Sequence, residues 1–355
     1  MGFNNVLIIK LGAIGDLLMT TPAIRALKKA YPATHISLLV GKSSKMAVSG
    51  NPHIDELIEC DDYIIYKAGF LQKARYALSL LYLLRKKKFD TVIVFHRDWQ
   101  FNFFVFLCGI PERIGFDRNG EGRFLTRRIE INGVRHQIDH YLEIVKSFGI
   151  HDDGRAMDFA ISKDAESLAD KILRTGGVGK GDIVIGILAG GASNIKTEMP
   201  IKRWPLENYI ELSNKMIADG YKIILLGAEG DKPNAEAILK KSTVDIIDLT
   251  GKATLEETAA VMKRCNVIVT HDSGPMHLAS AVGRPVVSIF GPTDPKEYYP
   301  LSSDSHYFWN VENIECAPCY EDGRFPDCND PICMKAVTVE QVYEKVKDII
   351  SARGR

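Results

Sequence analysis

The chain has no run of about 20 apolar residues, the length a membrane-crossing helix needs, so none of its 355 residues reads as a transmembrane segment. Charge of neither sign predominates, with 45 Lys and Arg against 45 Asp and Glu. That balance removes the broad basic field that draws nucleic acid without regard to sequence, and no nucleic-acid partner is expected. The opening MGFNNVLIIKLGAIGD lacks a basic region followed by a small-residue cleavage site; it reads as the first strand of the fold, not as a secretion signal. Position 6 is Val, not Ser or Thr, which argues against myristoylation at Gly2. Two phosphate-binding signatures are missing too. The first glycine loop reads GAIGDL, not G-x-G-x-x-G, and no Gly-Lys-Ser or Gly-Lys-Thr run follows it directly, which weakens the case for a dehydrogenase or an ATPase.

What is present is ordinary soluble-protein composition, 46% hydrophobic and 25% charged, with length enough for two domains. Near-continuous apolar runs at 6–11, 36–40 and 91–95 alternate with helical patterns at 16–30 and through 70–88. Apolar runs without alternation suit parallel strands covered on both faces. The βα rhythm restarts after GGVGKGD with strands at 183–188, 222–226, 246–249 and 266–270, helices between them, and a closing helix at 337–352. The fold class is therefore α/β, two Rossmann-like parallel-sheet domains, divided as 1–175, 176–335 and a closing segment 336–355. No internal copy is obvious beyond the shared rhythm.

Four loops after strands carry more Gly and polar groups than packing requires. In KLGAIGD, Gly12 and Gly15 permit a tight turn or a close ligand approach, and Asp16 opens the next helix. Asp16 either serves that helix terminus or takes a proton from an incoming hydroxyl. In LAGGASNIKTEMPIKRWP, Gly190, Gly191 and Ala192 offer backbone N–H groups, Ser193 and Asn194 short donors, and Lys202 and Arg203 positive charge. Such a set can cradle phosphate oxygens; a solvated glycine loop is the plainer alternative, with Trp204 as a packing anchor. In LLGAEGD, Glu229 can accept from ribose hydroxyls or be an exposed loop acid. In THDSGPMH, Asp272 can cap a helix, Ser273 and Gly274 leave N–H groups open to an anion, and His277 lies one turn on.

Two further segments are ambiguous. FLQKARYALSLLYLLRKKK, 70–88, reads either as a core helix with lysines at its C-terminus or as a surface that meets lipid. HRDWQFNFFVFLCGIPERIGFDR, 96–118, starts at a strand end; most of its aromatics are expected in the core. Of the seven cysteines, Cys60, Cys108 and Cys265 stand singly in apolar surroundings, as buried thiols do. Cys316, Cys319, Cys328 and Cys333 have the spacing C-x2-C-x8-C-x4-C, compatible with packed free thiols, a structural zinc site, an iron–sulfur centre, or disulfides.

In order and spacing, KLGAIGDLLMTTPAIRALKKAYP (10–32), GIPERIGF (109–116), KRWP (202–205) and DSGPMHLASAVGRPVVSIFGPTDP (272–295) resemble the ADP-heptose:lipopolysaccharide heptosyltransferases, glycosyltransferase family 9. The cysteine-rich tail and KRWP are most like the heptosyltransferase II branch. The resemblance covers nearly the whole chain and implies a GT-B fold of two facing domains, an N-terminal one for acceptor and a C-terminal one for donor, with the closing helix crossing back. It implies inverting transfer of L-glycero-D-manno-heptose from ADP-heptose to the lipid A-core oligosaccharide, with no cofactor required. A monomer in the cytoplasm, in peripheral contact with the inner membrane, is expected. Asp16 then corresponds to the general base, Lys202 to the diphosphate-contacting lysine, and Glu229 to the ribose-contacting acid. Asp272, Ser273, Gly274 and His277 correspond to the signature around donor phosphates and heptose. Ser273 replaces the threonine of some members, and Pro275 and Met276 occupy variable signature positions. Another sugar or glycan acceptor, a nucleotide-sugar epimerase of the same fold, and a non-catalytic nucleotide-sugar sensor stay open; an epimerase needs a further acid that the sequence does not single out.

Overall fold

A computed structural model describes residues 3–195, 197–242, 244, 246–320 and 325–353. It divides into two compact units, Met1–Asp158 and Phe159–Arg355. In the first, β1 (Asn5–Ile9), α1 (Ile14–Ala30), β2 (His35–Gly41), β3 (Glu56–Cys60), α2 (Asp62–Lys67), α3 (Phe70–Lys86), β4 (Thr91–Val94), α4 (Trp99–Leu107), β5 (Glu112–Asp117), β6 (Arg127–Glu130) and α5 (Gln137–Lys146) follow in turn. The second comprises α6 (Lys163–Thr175), β7 (Val184–Ile187), α7 (Leu206–Ala218), β8 (Lys222–Leu225), α8 (Lys232–Lys241), β9 (Ile247–Asp248), α9 (Leu255–Met262), β10 (Val267–His271), α10 (Gly274–Ala281), β11 (Val286–Ile289), α11 (Pro295–Tyr298), β12 (His306–Phe308), α12 (Ile332–Lys335) and α13 (Val339–Arg353).

The strands form two sheets with orders β3-β2-β1-β4-β5-β6 and β12-β11-β10-β7-β8-β9, and every neighbouring pair is parallel. Counted from the first strand of each unit, the two orders are the same. The internal repeat that sequence inspection did not find is therefore a repeat of topology, kept by packing and not by residue identity. In each sheet the order reverses between two neighbours, β1 and β4 in one, β7 and β10 in the other. Loops diverge at such a point and leave a crevice beyond the strands' C-terminal ends.

Local chemistry explains the elements that frame these crevices. β1 and β4 are buried almost throughout, as parallel strands covered on both faces require. α1 is buried over most of its length despite Pro22 within it. The proline deprives the Leu18 carbonyl of its helical N–H, and the Thr21 hydroxyl donates to that oxygen instead at 2.7 Å. Arg25, also buried, donates to the carboxylates of Asp153 and Asp158 at 2.9 and 2.7 Å.

α6 packs against α9 of the C-terminal unit. The division after Asp158 therefore falls earlier in the chain than the glycine-rich stretch at 176–181 suggests, because contacts and not composition decide where a unit ends. α13 lies on α7, β10 and β11. The single cysteines are core thiols, Cys60 and Cys265 pushed up to about 12 and Cys108 to about 11 by burial. The aromatics of 96–118 depart from expectation: Phe116 is buried, but Trp99, Phe103 and Phe106 on α4 are exposed. No helix among the described residues is long and apolar enough to cross a membrane.

Trp204 is the packing anchor expected of it, 2% exposed, its indole N–H donating to the Val337 carbonyl at 2.9 Å. Trp204→Ala should therefore lower the unfolding free energy of the C-terminal unit by about 3–5 kcal/mol, measured by denaturant titration.

Candidate active site

In the N-terminal unit the β1–α1 loop sits at the switch point. Its backbone is held from the neighbouring strand end, where His96 Nε2 accepts the Leu11 N–H at 2.9 Å. His96 is buried and stacks on Phe101, while Arg97 donates to Gln137 at 2.8 Å. A side chain at Gly12 would bring a Cβ to 2.7 Å from Ser44 Oγ, so the close turn needs glycine there. Gly15 is buried in the first turn of α1.

Asp16 lies in that same turn. One carboxylate oxygen accepts the Ala13 N–H at 3.1 Å, and the other is 3.7 Å from Lys10 Nζ, with the side chain 37% exposed. Asp16 thus serves the helix terminus while its carboxylate stays partly exposed to solvent. Lys10 is buried and donates to the Tyr141 hydroxyl at 3.0 Å. Burial disfavours its ammonium, but Asp16 and Tyr141 outweigh that and raise its pKa above the usual lysine value. The lysine is therefore a fixed cation behind the acid.

In the C-terminal unit the loops after β7, β10 and β11 meet around one carboxylate. Asp272 is buried; Lys202 Nζ reaches it at 2.5 Å and the Thr293 hydroxyl donates to it at 2.6 Å. Burial alone would raise the Asp272 pKa, but Lys202 and Thr293 more than offset it and hold the acid below the usual range. Asp272 is thus not the helix cap. The N-cap of α10 is Ser273, whose hydroxyl donates to the His271 carbonyl at 3.1 Å. Of the first-turn N–H groups that a helix start leaves over, Pro275 has none and Met276 donates to the Ser273 carbonyl at 3.1 Å, so that of Gly274 remains for an anion. His277 is buried next to Asp272, whose charged form it favours.

The glycine loop after β7 is built differently from expectation. The Gly191 N–H is not free for phosphate: Asp231 accepts it at 2.8 Å and accepts the Ala228 N–H at 2.8 Å with its other oxygen. A Cβ at Gly190 would lie 2.1 Å from that carboxylate, so the glycine admits Asp231 rather than a ligand. Gly191 still faces the start of α10, since a Cβ on it would stand 3.6 Å from Ser273. Arg203 turns back to the Gly191 carbonyl at 3.1 Å and to Glu198 at 2.8 Å, while Ser193 is exposed at a bridge to Glu198. Glu229 is 73% exposed and pairs with Lys232 at 2.6 Å, a carboxylate able to turn toward a ligand.

Two members were missed from sequence. Asp231 is one more acid in its loop, and nothing local marks it. His271 ends β10 fully buried, with Nδ1 3.0 Å from the Tyr209 hydroxyl; burial first, then Lys202, lowers its pKa to about 3. A strand-end histidine beside Asp272 was a legible signal that went unused.

Cys316, Cys319, Cys328 and Cys333 line one small cavity with Pro292. The Cys319 and Tyr320 N–H groups donate to the Pro292 carbonyl at 2.9 and 3.0 Å, so the segment buttresses the loop that carries Thr293. No group of three or more metal-ligating side chains forms among the described residues. All four thiols are free, and the zinc, cluster and disulfide readings gain no support.

Two Rossmann-type sheets, each with charged groups gathered at its switch point, have the architecture of the GT-B class of glycosyltransferases. The family model for glycosyltransferase family 9 (heptosyltransferase) matches residues 77–327, and the chain belongs to that family. It is 28% identical to lipooligosaccharide heptosyltransferase 2 of Haemophilus influenzae over 98% of this chain and 99% of the relative. To lipopolysaccharide heptosyltransferase 2 of Salmonella typhimurium it is 26% identical, over 98% and 99%. Its fold is similar to that of a family 9 glycosyl transferase from Veillonella parvula, with a TM-score of 0.81 at 24% identity over 99% and 98% of the chains. Against E. coli ADP-heptose lps heptosyltransferase II the TM-score is 0.77 at 21% identity, over 99% and 100%.

Lys202→Ala leaves Asp272 buried and uncompensated, and should cost about 3–5 kcal/mol at neutral pH. An acid with a depressed pKa contributes its stability above the unfolded value, about 3.9, and loses it as pH falls through the lower folded value. The gap between wild type and variant in urea titrations should therefore close only under acidic conditions.

Proposed function

We propose that the chain transfers L-glycero-D-manno-heptose from ADP-heptose to the inner core of lipopolysaccharide, with inversion at the anomeric carbon. The single observation that carries this reading is the arrangement around Asp272: charge and an open amide gathered at a switch point, in a chain of the heptosyltransferase family. The two relatives quoted above by sequence are a lipooligosaccharide and a lipopolysaccharide heptosyltransferase 2, which favours that branch. The donor belongs to the C-terminal domain and the acceptor to the N-terminal one. The enzyme works at the cytoplasmic face of the inner membrane.

In the reaction the acceptor oxygen attacks the anomeric carbon as the bond from that carbon to the β-phosphate oxygen breaks. Asp16 takes the acceptor's proton and ADP departs. A carboxylate is a weak base, so most of the acceleration falls to stabilising the leaving diphosphate. Lys202 has three donors and spends one on Asp272; the other two, with the α10 N-terminus at Ser273 and Gly274, meet the diphosphate. His277 and Asp272 hold this set in place, and Glu229 receives the ribose hydroxyls. Gly12 and Gly15 let the Asp16 loop come close to the acceptor, while Gly191 and Ser193 shape the donor loop without giving it a free Gly191 amide.

Purified protein, ADP-heptose and truncated cores should yield a heptose mass addition by mass spectrometry. Asp16→Asn should reduce turnover by about 10²–10⁴-fold while ADP-heptose affinity by calorimetry stays within twofold or so of wild type. Full turnover in that variant would remove Asp16 as the base. Donor binding without transfer to any core would favour the sensor reading.

A further inference from the structure

The outer faces of α3 and α4 are apolar, with Phe103 and Phe106 only partly covered by Phe124. These two helices cover the same side of the N-terminal sheet, their inward residues Leu80, Leu84, Val105 and Cys108 packing in one cluster with Leu7, Ile9, Val92 and Val94. Arg85 joins their ends by donating to the Leu107 carbonyl at 2.8 Å. Outward, Leu71, Leu78 and Tyr82 form a stripe on α3 and Trp99, Phe103 and Phe106 another on α4. Their exposures run from 78% at Leu71 and 66% at Leu78 to 47% at Phe106 and 37% at Phe103. Contiguous apolar surface of this kind marks an interaction face.

Charge decides what covers it. Neither helix contains an Asp or Glu, while Arg75, Arg85, Lys86 and Lys88 are exposed along α3 and just beyond it. Lys86 Nζ lies 4.4 Å from the Tyr82 ring centre and the Arg113 guanidinium 5.5 Å from that of Phe106. Cations interleaved with aromatics and leucines suit the boundary between acyl chains and anionic headgroups, where long basic side chains reach outward as their neighbours sink in. A second copy on the same face would set the α3 cations against one another, with neither helix supplying a carboxylate and Asp98, exposed just before α4, outnumbered by them.

We infer that the joined outer faces of α3 and α4 dock the enzyme on an anionic lipid bilayer. This rests on the proposed reaction insofar as its acceptor is lipid-anchored. The α4 stripe begins at Trp99, just after His96, the residue that holds the Asp16 loop. A bilayer bound there would present acceptors beside the base.

The test is sedimentation of the full chain with vesicles of phosphatidylcholine alone or with phosphatidylglycerol added. Wild type should partition to the anionic vesicles and be partly released by salt. Leu78→Glu with Phe106→Glu should weaken partition on the order of tenfold, and Arg75→Glu with Lys86→Glu should abolish the preference for anionic lipid. Both exposed-site variants should keep wild-type thermal stability and transfer to a delipidated, water-soluble core, yet lose transfer to acceptor embedded in vesicles. Wild-type protein that ignores anionic vesicles overturns the inference, as do variants that partition like wild type. So does a dimer in sedimentation velocity that the same substitutions dissolve. Vesicle binding without transfer to any acceptor would instead strike the reaction and leave the surface standing.

Discussion

A carboxylate withdrawn from water has to be met by a cation and by hydrogen bonds, or it will not stay ionised. Asp272 is met by Lys202 from the segment after β7 and by Thr293 from the loop after β11. Three stretches far apart in the chain are thereby drawn to one point at the C-terminal edge of one sheet. The start of α10 follows directly from Asp272, so the pair also sets where that helix offers its open amide. Asp231 does a similar task one strand over, fastening the glycine loop to the turn after β8. The cysteine segment then supports the Thr293 loop from behind.

The N-terminal unit applies the same plan with the charges exchanged. There a buried lysine stands behind an acid that reaches solvent, whereas in the C-terminal unit a buried acid stands behind a lysine. Each arrangement suits its proposed partner: a neutral hydroxyl that must lose a proton, and a diphosphate that must gain counter-charge. Both lie where the strand order reverses, which is the one place in such a sheet where adjacent loops part.

Much of this was legible in the residues. The strands that lead into these loops were found within a residue or two, since buried parallel strands leave unbroken apolar runs. The loops containing Asp16, Lys202, Glu229 and Asp272 were recognised by glycine and charge where packing asks for neither. Their partnerships were not legible. Gly190 and Gly191 read as an open phosphate cradle, but the missing side chain of Gly190 makes room for Asp231, which takes the Gly191 amide from forty positions on. The aromatics of α4 read as core because composition reports how apolar a helix is and not which side of it meets the sheet.

Local pattern and composition by themselves settled the α/β class, the two-domain plan, the strand positions and the family, because each depends on neighbours in the chain or on a short motif's order. Tertiary structure alone decided that Asp272 is an ion-pair acid and not a cap, and that the Gly191 amide is already taken. It also decided that two apolar helices show their rings to solvent. Those outcomes turn on which distant groups come within hydrogen-bonding reach once water is excluded, and a linear sequence does not specify such distances.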